Sequence, residues 1–153
     1  MGAAVTIARA WILGLLFGLF AACTAQAQGW GEVRPPGGGY RVEMPTAAKF
    51  DTDDITLPDG RKAVIYQAIS EYRDAAFLAT YVDYPPDMIA RGTPESHLNN
   101  AVNGTASGAT LAGQRNIVMG GNKGRDYVVF RPDGLSMSVR NALVGNRLYQ
   151  IIV

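Results

Sequence analysis

The sequence predicts an α+β domain, in which a meandering antiparallel sheet of six to eight strands has one helix packed on a face. Three observations support this fold class. Segments with alternating apolar side chains recur along the chain, which is typical of half-buried strands. Short turn sequences separate them, at 58–60 (Pro-Asp-Gly), 132–134 (Pro-Asp-Gly) and 145–146 (Gly-Asn). One segment, 93–108, instead has apolar residues at helical spacing.

Eight segments have the composition of strands. The alternation is clearest near the end of the chain, where Met137, Val139 and Leu143 share one face. Ser138 and Arg140 share the opposite face, so this strand is predicted to be buried on one side only. The predicted strands are 40–44, 50–57, 62–72, 77–84, 111–119, 125–131, 135–144 and 147–153, with a turn at Arg73-Asp74 between the third and the fourth.

The predicted helix follows Thr93. A threonine can cap a helix start with its side-chain oxygen, and Pro94 suits the first helical position. Leu98 and Val102 then lie on one stripe at helical spacing, and Gly108 is a plausible stop signal. Because the stripe is narrow, the helix needs the sheet for its stability.

The first 27 residues have the layout of a secretory signal peptide. Arg9 is the only charge before an apolar run at 11–22, and Ala25-Gln26-Ala27 has the small-x-small pattern of a cleavage site. The run is too short for a membrane span, which needs roughly 20 apolar residues. Cleavage between Ala27 and Gln28 predicts a periplasmic or secreted protein.

Two alternatives to this cleavage stay open. Cys23 follows Phe20-Ala21-Ala22, which is similar to a bacterial lipobox, and its lipidation would anchor the chain in the cell envelope. The leader could also be retained as an uncleaved anchor. The membrane is therefore a partner only through Cys23 or through the leader itself.

The composition of the mature chain excludes several functions. Cleavage leaves 126 residues without a cysteine, so a disulfide, a thiolate nucleophile and a sulfur metal ligand are excluded. With Arg9 removed, 13 basic residues balance 13 acidic residues. Nucleic-acid binders show a basic surplus, so nucleic acid is not an expected partner. We expect no cofactor.

The mature chain is predicted to form a single domain. Residues 28–39 are rich in Gly and Pro and are predicted to be a flexible lead-in to the α+β domain at 40–153. The domain contains four short motifs, at 41–45 (RVEMP), 84–85 (YP), 121–126 (GNKGRD) and 143–150 (LVGNRLYQ). With these motifs, the order of its elements resembles the PsbP/Mog1-like α/β sandwich of small exported bacterial domains.

The resemblance also implies a C-terminal helix after the last strand, and this sequence has none there. The chain ends at 151–153 (Ile-Ile-Val), inside a predicted strand. We therefore expect either a truncated sequence or a sheet with one open face. An open apolar face of a few hundred Å² would favour binding of a partner.

Three groups of residues invite a chemical interpretation. His97 is the only histidine, and its neighbour Ser96 points to a different side of the helix, so a surface histidine is expected. Asp51, Asp53, Asp54 and Asp59 do not have the spacing of a calcium loop and are expected to protect an edge strand. Residues 120–125 (GGNKGR) precede a strand and not a helix, which indicates a tight turn and not a phosphate loop.

Tyrosines are the remaining candidates for a site. They are good strand formers, so most are expected to serve packing. A cluster of them could line a groove with apolar walls and hydroxyl tips. The candidate groove residues are Tyr66, Tyr81, Tyr127 and Tyr149.

These observations predict an exported bacterial, non-enzymatic binding or accessory domain, whose partner is another envelope protein. No catalytic, cofactor-binding or metal-ligating residue is assigned. Two alternatives stay open. One is a small-ligand carrier that uses the tyrosine-lined sheet face. The other is a hydrolase that uses carboxylates alone, with Asp83, Asp87 and Asp126 as candidate acids.

We predict that the protein isolated from its native host begins at Gln28, which intact-mass spectrometry will show as loss of the first 27 residues. Lipidation would instead give a chain that begins at Cys23 and has added acyl mass. An intact Met1 would contradict cleavage in either form.

Overall fold

The computed structural model describes residues 29–45 and 47–153, and it confirms the α+β prediction. The leader, with Cys23, Ala25, Ala27 and Gln28, lies outside the described residues. The elements in chain order are β1 (Trp30–Val33), β2 (Val42–Pro45), β3 (Lys49–Thr56), β4 (Lys62–Tyr72), β5 (Ala75–Asp83), α1 (Pro86–Ile89), α2 (Pro94–Thr105), β6 (Thr110–Met119), β7 (Asn122–Phe130), β8 (Ser136–Val144) and β9 (Arg147–Ile152).

Seven strands form one antiparallel sheet in the order β3-β4-β5-β9-β8-β7-β6. It consists of two meanders, β3–β5 and β6–β9, which are joined where β5 pairs with β9. The predicted turns between neighbouring strands are confirmed. Arg73 adopts a positive φ of 54° between β4 and β5, and Gly120 and Gly121 adopt positive φ between β6 and β7. Residues 120–125 therefore form a hairpin turn and the start of β7.

One face of the sheet, which we call the helix face, packs against α2. The predicted cap is confirmed, because the Thr93 hydroxyl accepts a hydrogen bond from the Ser96 amide. Leu98 and Val102 are fully buried and contact the sheet. Burial of such a side chain contributes about 2–3 kcal/mol, which holds the helix in place. Their sheet partners are Val82, Leu143 and Leu148 around Leu98, and Tyr127, Val129 and Val139 around Val102.

The opposite face, which we call the hairpin face, packs against the two-stranded sheet of β1 and β2. Met44 is buried there against Ala68 and Ala79, whose small side chains allow the close approach. The Ser70 hydroxyl donates a hydrogen bond to the Pro45 carbonyl and fixes the end of β2. The Trp30 ring meets the Phe77 ring edge to face at 5.2 Å, which fixes β1.

The N-terminal part of the domain differs from the prediction. The segment 28–39, expected to be a flexible lead-in, contains strand β1, which pairs with β2. β2 corresponds to the predicted strand 40–44, and it belongs to the small sheet and not to the main one. A four-residue strand that includes Gly31 shows too little alternation to be recognised, and its pairing depends on contacts such as Trp30 with Phe77.

We predict that Gly124→Ala destabilises the protein by about 2–3 kcal/mol, because a Cβ at this buried position collides with the Asn141 carbonyl oxygen of β8. Urea unfolding followed by circular dichroism measures the change. Gly104→Ala in α2 is the control, since its Cβ meets open space and stability should rise by up to about 1 kcal/mol. Equal unfolding midpoints for Gly124→Ala and the unmodified protein would contradict this packing.

Candidate functional site

Four tyrosines form a cluster on the hairpin face. The Tyr66 and Tyr81 rings stack with centroids 4.7 Å apart, and Tyr81 and Tyr149 are paired in register on β5 and β9. Tyr40 lies in the loop of residues 34–41, which connects β1 to β2, and its ring meets the Tyr149 ring edge to face at 5.3 Å. The structure therefore brings together three of the four predicted groove tyrosines and adds Tyr40.

Tyr127 does not belong to this cluster. Its side chain lies on the helix face, where it packs with Val102 of α2 and is fully buried. Neighbouring positions of a strand point to opposite faces, and the pairing of β7 with β8 places Tyr127 beside Val139 of the apolar core. The predicted four-tyrosine set is corrected in this respect.

The hydroxyls of the tyrosine cluster hold the 34–41 loop. The Tyr81 hydroxyl donates to the Pro36 carbonyl at 2.9 Å, and the Tyr149 hydroxyl donates to the Gly38 carbonyl at 3.0 Å. The Tyr40 hydroxyl is buried, and burial raises the pKa of Tyr40 to about 12. Two of the hydroxyls are thus engaged by backbone, so much of this cluster serves to fasten the loop.

Arg147 completes the fastening. Its guanidinium lies 4.4 Å from the centroid of the Tyr81 ring and donates to the Gly37 and Gly38 carbonyls. It also forms two hydrogen bonds to Asp83, at 2.6 and 2.7 Å. These bonds lower the pKa of Asp83 and raise that of Arg147, which keeps both groups charged over the physiological range.

The three candidate catalytic acids are all bound to arginines. Hydrogen bonds from the arginine side chains lower the pKa of each carboxyl below its usual value. A general acid in a glycan hydrolase requires the opposite shift, because it must hold a proton near neutral pH. The ion pairs are Asp83–Arg147 (2.6 Å), Asp87–Arg61 (2.9 Å) and Asp126–Arg115 (2.6 Å).

His97 lies apart from the aspartates of β3 and of the turn that follows it. The ring nitrogen Nε2 of His97 donates to the Ile89 carbonyl at 3.0 Å and ties α2 to the end of α1. Asp51, Asp53 and Asp54 are exposed on the edge strand β3, while Asp59 binds Arg61 in the following turn. Within residues 29–45 and 47–153, no three His, Cys, Asp or Glu side chains are placed to hold a metal ion.

An open groove runs along α2 on the helix face, with a volume of about 490 Å³. We call it the α2 groove. Its helix wall includes Ala101 and Gly104, and its inner end is formed by Thr105 and Gln150. The floor is mostly apolar, with Ile55, Leu57, Ile65, Val82, Met88 and Leu148, while Thr56, His97 and Asn100 add polar groups to the lining. The groove has the size and composition of a site for a small amphiphilic molecule.

Sequence reasoning missed this groove. Its polar end comes from residues that interrupt apolar patterns, such as Gln150 between Leu148 and Ile152. That interruption was visible in the sequence, but one polar residue in a strand does not indicate a site. The site arises because α2 covers β7 and β8 and leaves part of β5 and β9 open.

A second groove, of about 460 Å³, lies on the hairpin face beside the tyrosine cluster. Tyr40 and Arg41 form one wall, Met119 and the following turn form the other, and Arg140 and Tyr149 lie between them. This is a part of the tyrosine-lined face that is open to a ligand. Arg140 is already 3.4 Å from Asp126, which partly neutralises its charge.

Comparison with protein-family models, with curated proteins and with solved structures finds no match to this chain. Among the helices that the structure describes, none is both long and apolar enough to cross a membrane.

We predict that Arg147→Lys releases the 34–41 loop, because an ammonium group has three donors and cannot replace the four hydrogen bonds that Arg147 makes to Asp83 and two carbonyls. The Gly38 amide, which donates to the Pro35 carbonyl at 3.0 Å, should exchange with solvent at least about tenfold faster, in line with the loss of a charged hydrogen bond. Hydrogen exchange followed by NMR measures this rate. Arg34→Lys is the control, since Arg34 is exposed and binds only its neighbour Glu32. Unchanged exchange in Arg147→Lys would contradict the fastening role.

Proposed function

We propose that this chain is an exported bacterial, non-enzymatic binding or accessory domain, and that its ligand is a small amphiphilic molecule held in the α2 groove. The observation that supports this best is the groove itself, which has an apolar floor and a polar inner end. Apolar burial supplies affinity in such sites, while a few polar groups fix the orientation of the ligand.

The position of the groove favours binding. Its floor includes residues of the central strand β9 and of its neighbour β5, and its wall is α2, which Leu98 and Val102 anchor to the core. A site built on such elements is already formed before the ligand arrives, so little ordering free energy opposes binding.

The two earlier alternatives have weaker support. On the tyrosine-lined face, the Tyr81 and Tyr149 hydroxyls already bind backbone carbonyls, which leaves fewer polar groups for a ligand. The carboxylate-only hydrolase would use Asp83, Asp87 or Asp126, and arginines hold each of these in its charged form. We therefore place the ligand in the α2 groove and assign the ion pairs a structural role.

The proposal predicts that N-phenyl-1-naphthylamine, a neutral apolar fluorescent probe, binds the mature protein and that Gly104→Leu weakens this binding at least about tenfold. Leucine at this position adds a branched side chain to the groove wall, where a Cβ meets open space. Fluorescence titration measures the dissociation constant.

Asn103→Leu is the matched control, because it adds the same side chain to an exposed position of α2 outside the groove. Circular dichroism checks that both variants fold. Equal affinities in the two variants would place the probe elsewhere, and absence of binding in the unmodified protein would contradict the proposed function.

A further inference from the structure

A row of polar side chains crosses the helix face at the middle of the sheet. The pairings of β4, β5, β9, β8 and β7 bring one polar residue from each strand into register. For all of them except Arg125, the residues two positions away on the same strand and face are apolar, as with Thr80 between Leu78 and Val82. The row consists of Gln67, Thr80, Gln150, Asn141 and Arg125.

Three buried polar atoms, two in this row and one beside it, form no hydrogen bond with any residue that the structure describes. They are Thr80 Oγ1, Asn141 Nδ2 and the hydroxyl of Tyr127, which neighbours the row on β7. The three residues are at most 2% exposed. A buried polar group without a partner costs about 1–3 kcal/mol, so three of them together indicate that something else binds there.

The orientation of the Asn141 amide follows from its neighbour. Asn141 Oδ1 accepts a hydrogen bond from the Arg125 backbone amide at 3.1 Å. A flipped side chain would place two donors against each other, so Nδ2 must point away from Arg125. An NH₂ group can only donate, and the Thr80 and Tyr127 hydroxyls can donate as well. The three groups are therefore suited to an acceptor.

None of the three unpaired groups lines the α2 groove, but their neighbours Thr105 and Gln150 do. Thr105 and Gln150, which form the inner end of the groove, lie close to the Tyr127 hydroxyl together with Asn141. Burial raises the pKa of Tyr127, and side-chain interactions with Thr105, Gln150 and Asn141 oppose the rise. Thr80 is paired with Gln150 in register and shares its strand face with Val82 of the groove floor.

We propose that this polar row binds the head group of the ligand, and that the head group presents a carbonyl or carboxylate oxygen while the apolar body lies in the α2 groove. The inference rests on the proposed function and adds the chemical class of the ligand. The row contains one buried cation, Arg125, which donates to the neutral oxygens of the Asn99 side chain and the Gly124 carbonyl. This positive charge favours an anionic or neutral acceptor as the head group. Ordered water could satisfy the same groups, and the test below separates the two occupants.

The first experiment compares ligands with one apolar body and different head groups. Decanoate, decanamide and decane are titrated against the mature protein with bound N-phenyl-1-naphthylamine, and the displacement constants are measured. We expect decanoate or decanamide to bind at least about tenfold more tightly than decane, because only the first two offer an acceptor to the row. Equal constants for all three would show that the row holds water only.

The second experiment removes single hydroxyls from the row. Tyr127→Phe and Thr80→Val keep the shape of the side chains, so the affinity for the preferred acid or amide should fall about five- to tenfold in each. Binding of the neutral probe should not change, and the apo protein should be as stable as before or more stable, because an unpaired buried group is gone. Tyr149→Phe, on the hairpin face, and Thr110→Val, on the exposed edge strand, are the matched controls.

The outcomes of the two proposals are distinct. The probe could bind and Gly104→Leu could block it, while neither the head group of the ligand nor removal of the Tyr127 and Thr80 hydroxyls changes affinity. In that case the α2 groove is a binding site and the head-group inference is wrong. If neither the probe nor decanoate binds, the proposed function itself fails. If Thr80→Val does not fold, Tyr127→Phe and the ligand series still decide the inference.

Discussion

The whole structure depends on the pairing of β5 with β9, which joins the two meanders into one sheet. The paired residues are more than 60 positions apart in the chain, so forming this pair of strands costs a large amount of chain entropy. The side chains on both strands must therefore specify the pairing strongly. A slip of one residue would exchange the two faces of a strand. Each of four successive pairs has a separate role: Thr80–Gln150 in the polar row, Tyr81–Tyr149 in the tyrosine cluster, Val82–Leu148 in the groove floor and Asp83–Arg147 in the loop fastening.

The two faces of the sheet differ in how many of their buried polar groups are paired. On the hairpin face, the Tyr149 hydroxyl binds the Gly38 carbonyl, and Arg147 binds Asp83 and the loop, while the Tyr40 hydroxyl is the one buried group there without a partner among the described residues. On the helix face, the hydroxyl of Tyr127 is buried without such a partner among the described residues. A chain selected for stability alone would replace that hydroxyl by hydrogen, since an unpaired buried group is unfavourable. Local departures from such rules are expected at functional sites, and three of them lie close together on the helix face.

Charge has mainly an architectural role in this domain. Arginines bind Asp83, Asp87 and Asp126. Two of these pairs join register partners on neighbouring strands, and Asp87–Arg61 joins α1 to the turn before β4. Exposed pairs contribute little individually, with about 0–1 kcal/mol as the usual range. Arg147 is the exception, because a forked pair, a ring contact and two carbonyls act on one side chain. The apolar α2 groove is free of such pairs along its floor, which suits it to a ligand with an apolar body.

Local chemistry in the sequence determined the fold class, the start of α2 at Thr93 and the hairpin turns, because caps, turn residues and alternation act within a few positions of the chain. The polar residues of the row, such as Thr80 and Asn141, were visible only as single interruptions of apolar strands. Only the tertiary structure decided that they lie side by side, that Tyr127 joins them and not the tyrosine cluster, and that β1 pairs with β2. The physical reason is that the register between distant strands depends on the packing of both faces at once, and no local pattern specifies it.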